Sequence, residues 1–158
     1  MKKVLVGILT LLVFSSMSFS FLWFENADIK TKRKSVIAFV DEAVAYYQKN
    51  GEEKAFATFN DKDGGFQRGA LYVFVVDHSG ITRVHVNQKL VGKNVINLKD
   101  SKKKPFIKEF IQVSKEKGEG WVEYYWTHPV SKKVKAKISY VKRVNPNYFI
   151  SAGVYKED

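Results

Sequence analysis

A lysine set among aromatic rings frames the chemistry open to this sequence. Residues 118–141 read GEGWVEYYWTHPVSKKVKAKISYV, two β-like runs around one turn. Lys137 stands in the middle of the second run, three residues before Tyr140. Turned inward, its ammonium would be a ready partner for a carboxylate, and charge-assisted hydrogen bonds are strong. Buried without a partner, it would give up its proton or destabilise the fold. Read from the residues alone, it is an exposed strand lysine among Lys132, Lys133 and Lys135, because lysine is rarely buried. A regular strand sends Lys137 and Tyr140 to opposite faces, so a bulge is needed to bring both to one pocket.

Other candidates are less specific. His85, in ITRVHVN, shares a strand face with Arg83 and Asn87. It reads equally as a donor to a ligand oxygen or as a satisfied core histidine. Tyr124 and Trp126 share a face with Val122, as Tyr72 does with Phe74. A pocket wall and a hydrophobic core predict the same alternation. The tyrosines are the better pocket candidates, since a buried hydroxyl needs a partner. His78 reads as a turn residue and His128 as a loop residue; three His at these spacings form no zinc pattern. VGKN lacks the Gly-rich run of a nucleotide loop, so Gly92 is expected to serve a turn and Asn94 to bond the backbone. DSKKK, residues 100–104, reads as a solvated loop.

The chain has no Cys, which excludes thiol catalysis, disulfides, Cys-ligated metal and a lipid-modified cysteine. There is no nucleophile elbow or zinc helix. Asp61, Asp63, Asp77 and Asp100 fall in expected loops without a paired-carboxylate arrangement. The expectation is a non-enzymatic protein without a cofactor.

The elements that position these residues are legible in the periodicity. Residues 27–50 read as one long helix, with Val36, Phe39, Val40, Ala43, Val44 and Tyr47 at three- and four-residue spacing. EEKAFATFN is a short second helix. The period then drops to two. Strands are expected at 70–77, 81–87, 121–127, 134–141 and 148–155, with DHSG turning between the first two. A helix over 105–117 follows a connection long enough to suggest a function. The order gives an α+β domain, five mostly antiparallel strands with a helix between strands two and three. The long helix is expected on one sheet face, with loops and the middle helix covering the other around a small-molecule cavity.

The first 20 residues carry Lys2 and Lys3, an apolar run from Val4 to Phe14 and the small-x-small triplet Ser18-Phe19-Ser20. This is a cleavable export signal, or an uncleaved anchor reaching to about residue 24. Either way the folded part lies outside the cytoplasm, periplasmic or secreted. The formal charge of +11 favours anionic partners, and export disfavours nucleic acid.

The ordered set Phe59-Asn60-Asp61, Tyr72-x-Phe74, Asp77-x-x-Gly80, His85-x-Asn87, Leu90-Val91-Gly92-Lys93-Asn94, Lys99-Asp100, Gly118-x-Gly120, Tyr124-x-Trp126-x-x-Pro129, Lys137-x-x-Tyr140 and Gly153-x-Tyr155 resembles the single Cache domain family, over about residues 27–156. The resemblance implies a PAS-like five-stranded antiparallel sheet and an extracytoplasmic sensor of small organic acids or similar metabolites. It implies a pocket lined by Tyr72, Phe74, His85, Asn87, Tyr124, Trp126, Lys137 and Tyr140, with Lys137 facing in. The chain ends at Asp158 without a second apolar span, so the expectation is a stand-alone or singly anchored binding domain. It would report to a membrane receptor or kinase, with the long helix as a homodimer surface. The competing reading is a basic envelope scaffold that holds anionic polymers, lipids or a protein partner.

Overall fold

The computed structural model describes the backbone of residues 13–156 and the side chains of residues 28–156. The charged start and most of the apolar run of the expected export signal lie outside the described residues. No helix among the described residues is long and apolar enough to cross a membrane. The chain divides into two units, residues 1–32 and 33–158. In the first, Lys32 pairs with Asp28 one helical turn away, at 2.8 Å.

The described residues form three α-helices and six strands: α1 (Val13–Asn50), α2 (Glu52–Asn60), β1 (Gln67–Arg68), β2 (Leu71–Asp77), β3 (Thr82–Val84), α3 (Phe106–Lys117), β4 (Glu119–Thr127), β5 (Val134–Arg143) and β6 (Tyr148–Tyr155). All pairings are antiparallel, in the order β1-β2-β6-β5-β4. β3 pairs with the later part of β2. The expected α+β architecture therefore holds, with a two-residue strand added at the start of β2.

Both sheet faces are covered. On one, Val36, Phe39, Val40, Ala43 and Val44 of α1 cluster with Val73, Val75, Tyr140, Ile150 and Ala152. On the other, Phe106, Ile107, Phe110 and Ile111 of α3 cluster with Phe74, Val122, Tyr124, Val141 and Phe149. A strand covered on both sides needs no polar face, which is why β2 reads LYVFVVD and is buried from Tyr72 to Asp77. α3 has one apolar stripe because it covers one face only.

The expected second strand, 81–87, is cut to Thr82–Val84. Arg83 turns outward and binds Asp77 Oδ2 through Nη2 at 2.8 Å. The chain then leaves the sheet, so the buried His85 and the exposed Arg83 and Asn87 do not share a strand face. Asp77 sets the turn before it. Its Oδ1 accepts from the N–H groups of Ser79 (3.0 Å) and Ile81 (2.9 Å). Gly80, at φ +91°, has no room for a side chain, since a Cβ would lie 2.6 Å from Ile96 Cβ.

The long connection after β3 folds back along it. Gly92 N–H donates to Thr82 O (2.8 Å), and Thr82 N–H to Lys93 O (3.0 Å). As expected, Gly92 turns the chain at φ +78° and Asn94 bonds backbone, its Oδ1 accepting from Ile96 N–H. Asp100 closes the loop. It accepts from the N–H groups of Lys102 (2.8 Å), Lys104 (2.9 Å) and, across on β4, Tyr125 (3.0 Å). Burial pushes its pKa up, but these donors outweigh that and hold it below the usual carboxylate value.

Candidate functional site

The site grows from strand register. On the α3 face of the sheet, Lys137 of β5 stands opposite Tyr124 of β4 and Tyr155 of β6. Its side chain is fully buried, and Nζ has no hydrogen-bond partner. Aromatic rings enclose it instead. Nζ lies 3.8 Å from the Tyr72 ring centroid, 5.1 Å from Tyr155 and 5.6 Å from Phe74. This is the inward orientation that the family resemblance implies, against the solvent-facing reading of the residues alone.

The hydroxyls around it are tied together. Tyr124 Oη and Ser139 Oγ lie 3.1 Å apart, and Tyr155 donates to Thr127 O at 2.9 Å. Burial raises the pKa of Tyr72 well above its ordinary value; Tyr124 and Tyr155 add to the shift and the Trp126 indole opposes it. Tyr124 is raised as well, by burial. These phenols stay neutral and serve only as hydrogen-bond groups.

His85 enters from the bend after β3. Its Nδ1 accepts from the Asn87 backbone N–H at 2.8 Å, which leaves Nε2 to carry the proton of the neutral ring. The ring sits 5.3 Å from Tyr72 and 5.9 Å from Trp126, centroid to centroid. Burial, and then the nearby Lys137, lower its pKa to about 3.

Two spaces lie beside this group; Lys137 lines neither of them, but a third crevice with Tyr124, Asp100 and Glu123. An inner cavity of about 20 Å³ is walled by Phe74, Val76, Val95, Phe106, Ile107 and Tyr124. That is room for one water molecule. An outer cleft of about 690 Å³ opens past Tyr72, Asn87, Lys89, His128 and Lys132. His85, Leu90, Leu98 and Trp126 line both. No Asp or Glu lines either space. Among the described residues, no group of three or more His, Asp or Glu is placed to hold a metal ion.

The fold thus gathers Tyr72, Phe74, His85, Tyr124, Trp126 and Lys137. Asn87 is set at the rim, where it orients His85 through its N–H and caps a short 3-10 turn by accepting from Lys89 N–H. Tyr140 is a correction. The β4–β5 register runs from Glu119↔Lys142 to Thr127↔Val134 without a bulge, so three residues carry Tyr140 to the α1 face. There it packs on Trp121 at 5.1 Å. Sequence reasoning named Tyr155 and Leu90 among the family motifs without giving them a pocket role, and passed over Ser139 and Leu98. Tyr155 had a usable signal, as the last apolar position of its strand, but its neighbour across the sheet depends on register.

The electrostatics can be weighed. Keeping lysine neutral at pH 7 costs about 4–5 kcal/mol, from its ordinary pKa near 10.4. A desolvated cation–π contact returns about 2 kcal/mol or more, whereas burying an unpaired ammonium costs several. Burial wins, and the pKa of Lys137 falls well below its usual value. The sign for stability follows. Where the unfolded chain binds the Lys137 proton and the folded chain does not, stability rises with pH, by about 1.4 kcal/mol per unit. That window runs from the depressed folded pKa up to about 10.4. His85 acts in the same direction between about pH 3 and its unfolded value of about 6.5. The ligand-free chain is therefore expected to melt higher at pH 9 than at pH 7. Lys137→Met should flatten the rise above pH 7 in a series of thermal melts. An unchanged slope in that variant would place the titrating group elsewhere.

Comparison with known proteins agrees with this geometry. Residues 27–158 match the family model of Single Cache domain 2. A methyl-accepting chemotaxis protein from Vibrio parahaemolyticus RIMD 2210633 superposes with a TM-score of 0.77 at 19% identity, over 88% of this chain and 98% of that one. A Cache chemosensory domain, solved for the structural basis of carboxylic acid recognition, gives a TM-score of 0.70 at 23% identity over 82% and 97%. A periplasmic sensor domain of a chemotaxis protein gives 0.60 at 22% over 85% and 96%. At these identities the structures share the fold. Family match, sheet order and the two-sided packing agree: the chain belongs to the single Cache domain family of ligand-binding sensory domains.

Proposed function

We propose that this chain is an extracytoplasmic sensor domain whose ligand is a small monocarboxylic acid. The observation that carries the reading is Lys137, a fully buried amine whose Nζ has no hydrogen-bond partner and sits beside the neutral His85. A carboxylate would take one charge-assisted bond from Nζ and a second hydrogen bond from His85 Nε2–H, in a site with little water to compete. The short tail would enter the apolar inner cavity, with Leu90, Leu98 and Trp126 moving to admit it. Amino acids and amines fit poorly, because neither space offers an acidic side chain to an ammonium. The solved Cache domain described by its carboxylic acid recognition supports the ligand class. Occupancy would be read by a receptor or kinase module at the membrane.

The test is a thermal-shift panel of acetate, propionate, pyruvate, succinate, alanine and propylamine at low and moderate salt. At a hundredfold excess over its dissociation constant, a ligand stabilises by about 2.7 kcal/mol. A monocarboxylate is expected to raise the melting temperature with little salt dependence, and to perturb a fluorescence signal that Trp126→Phe removes. Stabilisation by polyanions alone, lost steeply with salt, would replace this reading with that of a basic scaffold.

A further inference from the structure

We infer that this site takes up its carboxylate together with one proton, so that what it binds in net terms is the undissociated acid. The inference rests on the carboxylate reading above. In the ligand-free fold the amine meets only groups that cannot pair with its charge. From β2 it faces the Tyr72 and Phe74 rings, and from β6 the Tyr155 ring. Across from it on β4 is Tyr124, whose hydroxyl is engaged with Ser139. Past β3 the nearest ionisable group is His85, whose charged form would repel it. α3 brings the apolar Phe106 and Phe110 to this cluster. Two acids line a crevice with Lys137: Asp100, whose two oxygens are committed to the backbone N–H groups of Lys102, Lys104 and Tyr125, and the exposed Glu123, whose carboxylate pairs with Lys156 at 2.7 Å.

A lysine so placed rests as the free amine. Short carboxylic acids are ionised at neutral pH, so ligand arrives as the anion. Forming the pair then requires a proton from solvent: Lys137–NH₂, H⁺ and RCOO⁻ give Lys137–NH₃⁺ held to ⁻OOCR. The proton goes to Nζ and no covalent bond to the ligand forms. By linkage, the apparent affinity falls as pH rises through the range where the free site is neutral and the occupied site is charged, tenfold per pH unit at full uptake. A receptor built on this domain would respond to acid and acidity jointly.

The experiment is titration calorimetry of the full chain with propionate at pH 7.5, in buffers of different ionisation enthalpy. The slope of observed enthalpy against buffer enthalpy counts the protons taken up. It is paired with NMR of ¹³Cε-labelled lysine, which reports Lys137 protonation in the unaltered protein and separates it from His85. The expected result is a slope near one, with one lysine resonance moving from the neutral to the charged position on adding propionate. Saturable binding with zero slope and a lysine charged throughout would overturn the inference and leave the carboxylate reading standing. Absence of binding by acetate, propionate and pyruvate at any pH from 5 to 8 would overturn both.

Discussion

Lys137→Met is expected to bring carboxylate binding below detection while raising the melting temperature of the ligand-free chain. The two effects have one cause. Removing one partner of a buried charge-assisted pair costs about 2–5 kcal/mol, or roughly 30- to several-thousand-fold in affinity. In the free protein the same amine has no partner, and replacing a buried polar group by an apolar one of similar shape is often stabilising. Methionine keeps most of the length and volume of the lysine stem, so Tyr72 and Tyr155 keep their packing. The gain at pH 7 should be a few kcal/mol, on the order of 10 °C for a domain of this size. Lys137→Ala would lose binding equally. It would return the stability gain, because it leaves a cavity that costs about 2–5 kcal/mol. Thermal melts and titration calorimetry on the two variants separate the terms. A Lys137→Met protein that melts lower than the unaltered chain would mean that the ammonium is already satisfied in the free fold.

Gly153→Ala is expected to be among the most damaging single-methyl additions in the domain, destabilising it by about 3 kcal/mol or more. Gly153 lies opposite Ser139 in the β5–β6 ladder, two residues before Tyr155. A Cβ there would stand 2.0 Å from Ser139 Oγ and 2.4 Å from Ile138 O. The second contact is backbone and cannot rotate away. Room is the issue here, since the conformation itself is one that any residue adopts. Ser139→Gly in the same chain should recover only part of the loss, because Ile138 O remains in place. It would also release Tyr124 from its hydroxyl partner. Urea melts of the single and double variants measure this; a Gly153→Ala protein as stable as the parent would show that β5 and β6 can part locally at low cost.

The fold was readable because its signals are local. α1 repeats apolar residues at helical spacing, β2 is a continuous apolar run, and α3 starts after Pro105 and stops at Gly118. The pocket was less readable, because its key distinction is not local. Lys135 and Lys137 are the same residue in the same alternating strand, yet Lys137 alone is fully buried. What separates them is that Tyr124 and Tyr155 flank Lys137 across the sheet, a matter of register. Tyr140 illustrates the reverse case. Strand parity places it opposite Lys137, and the unbroken β4–β5 ladder leaves no bulge to change that. His85 was expected within a seven-residue strand, whereas the strand ends at Val84. The departure from the sheet is what turns the ring inward. No alternation pattern marks such a bend, because Arg83, His85 and Asn87 continue the polar–apolar rhythm after the pairing has stopped.

The measurement that bears most directly on the central claim is a crystal structure of the chain with a stabilising monocarboxylate. The account predicts a carboxylate oxygen about 2.8 Å from Lys137 Nζ, a second contact to His85 Nε2, and Leu90, Leu98 and Trp126 displaced to enlarge the inner cavity. A ligand seated elsewhere, with Lys137 Nζ still enclosed by the Tyr72, Phe74 and Tyr155 rings, would contradict it.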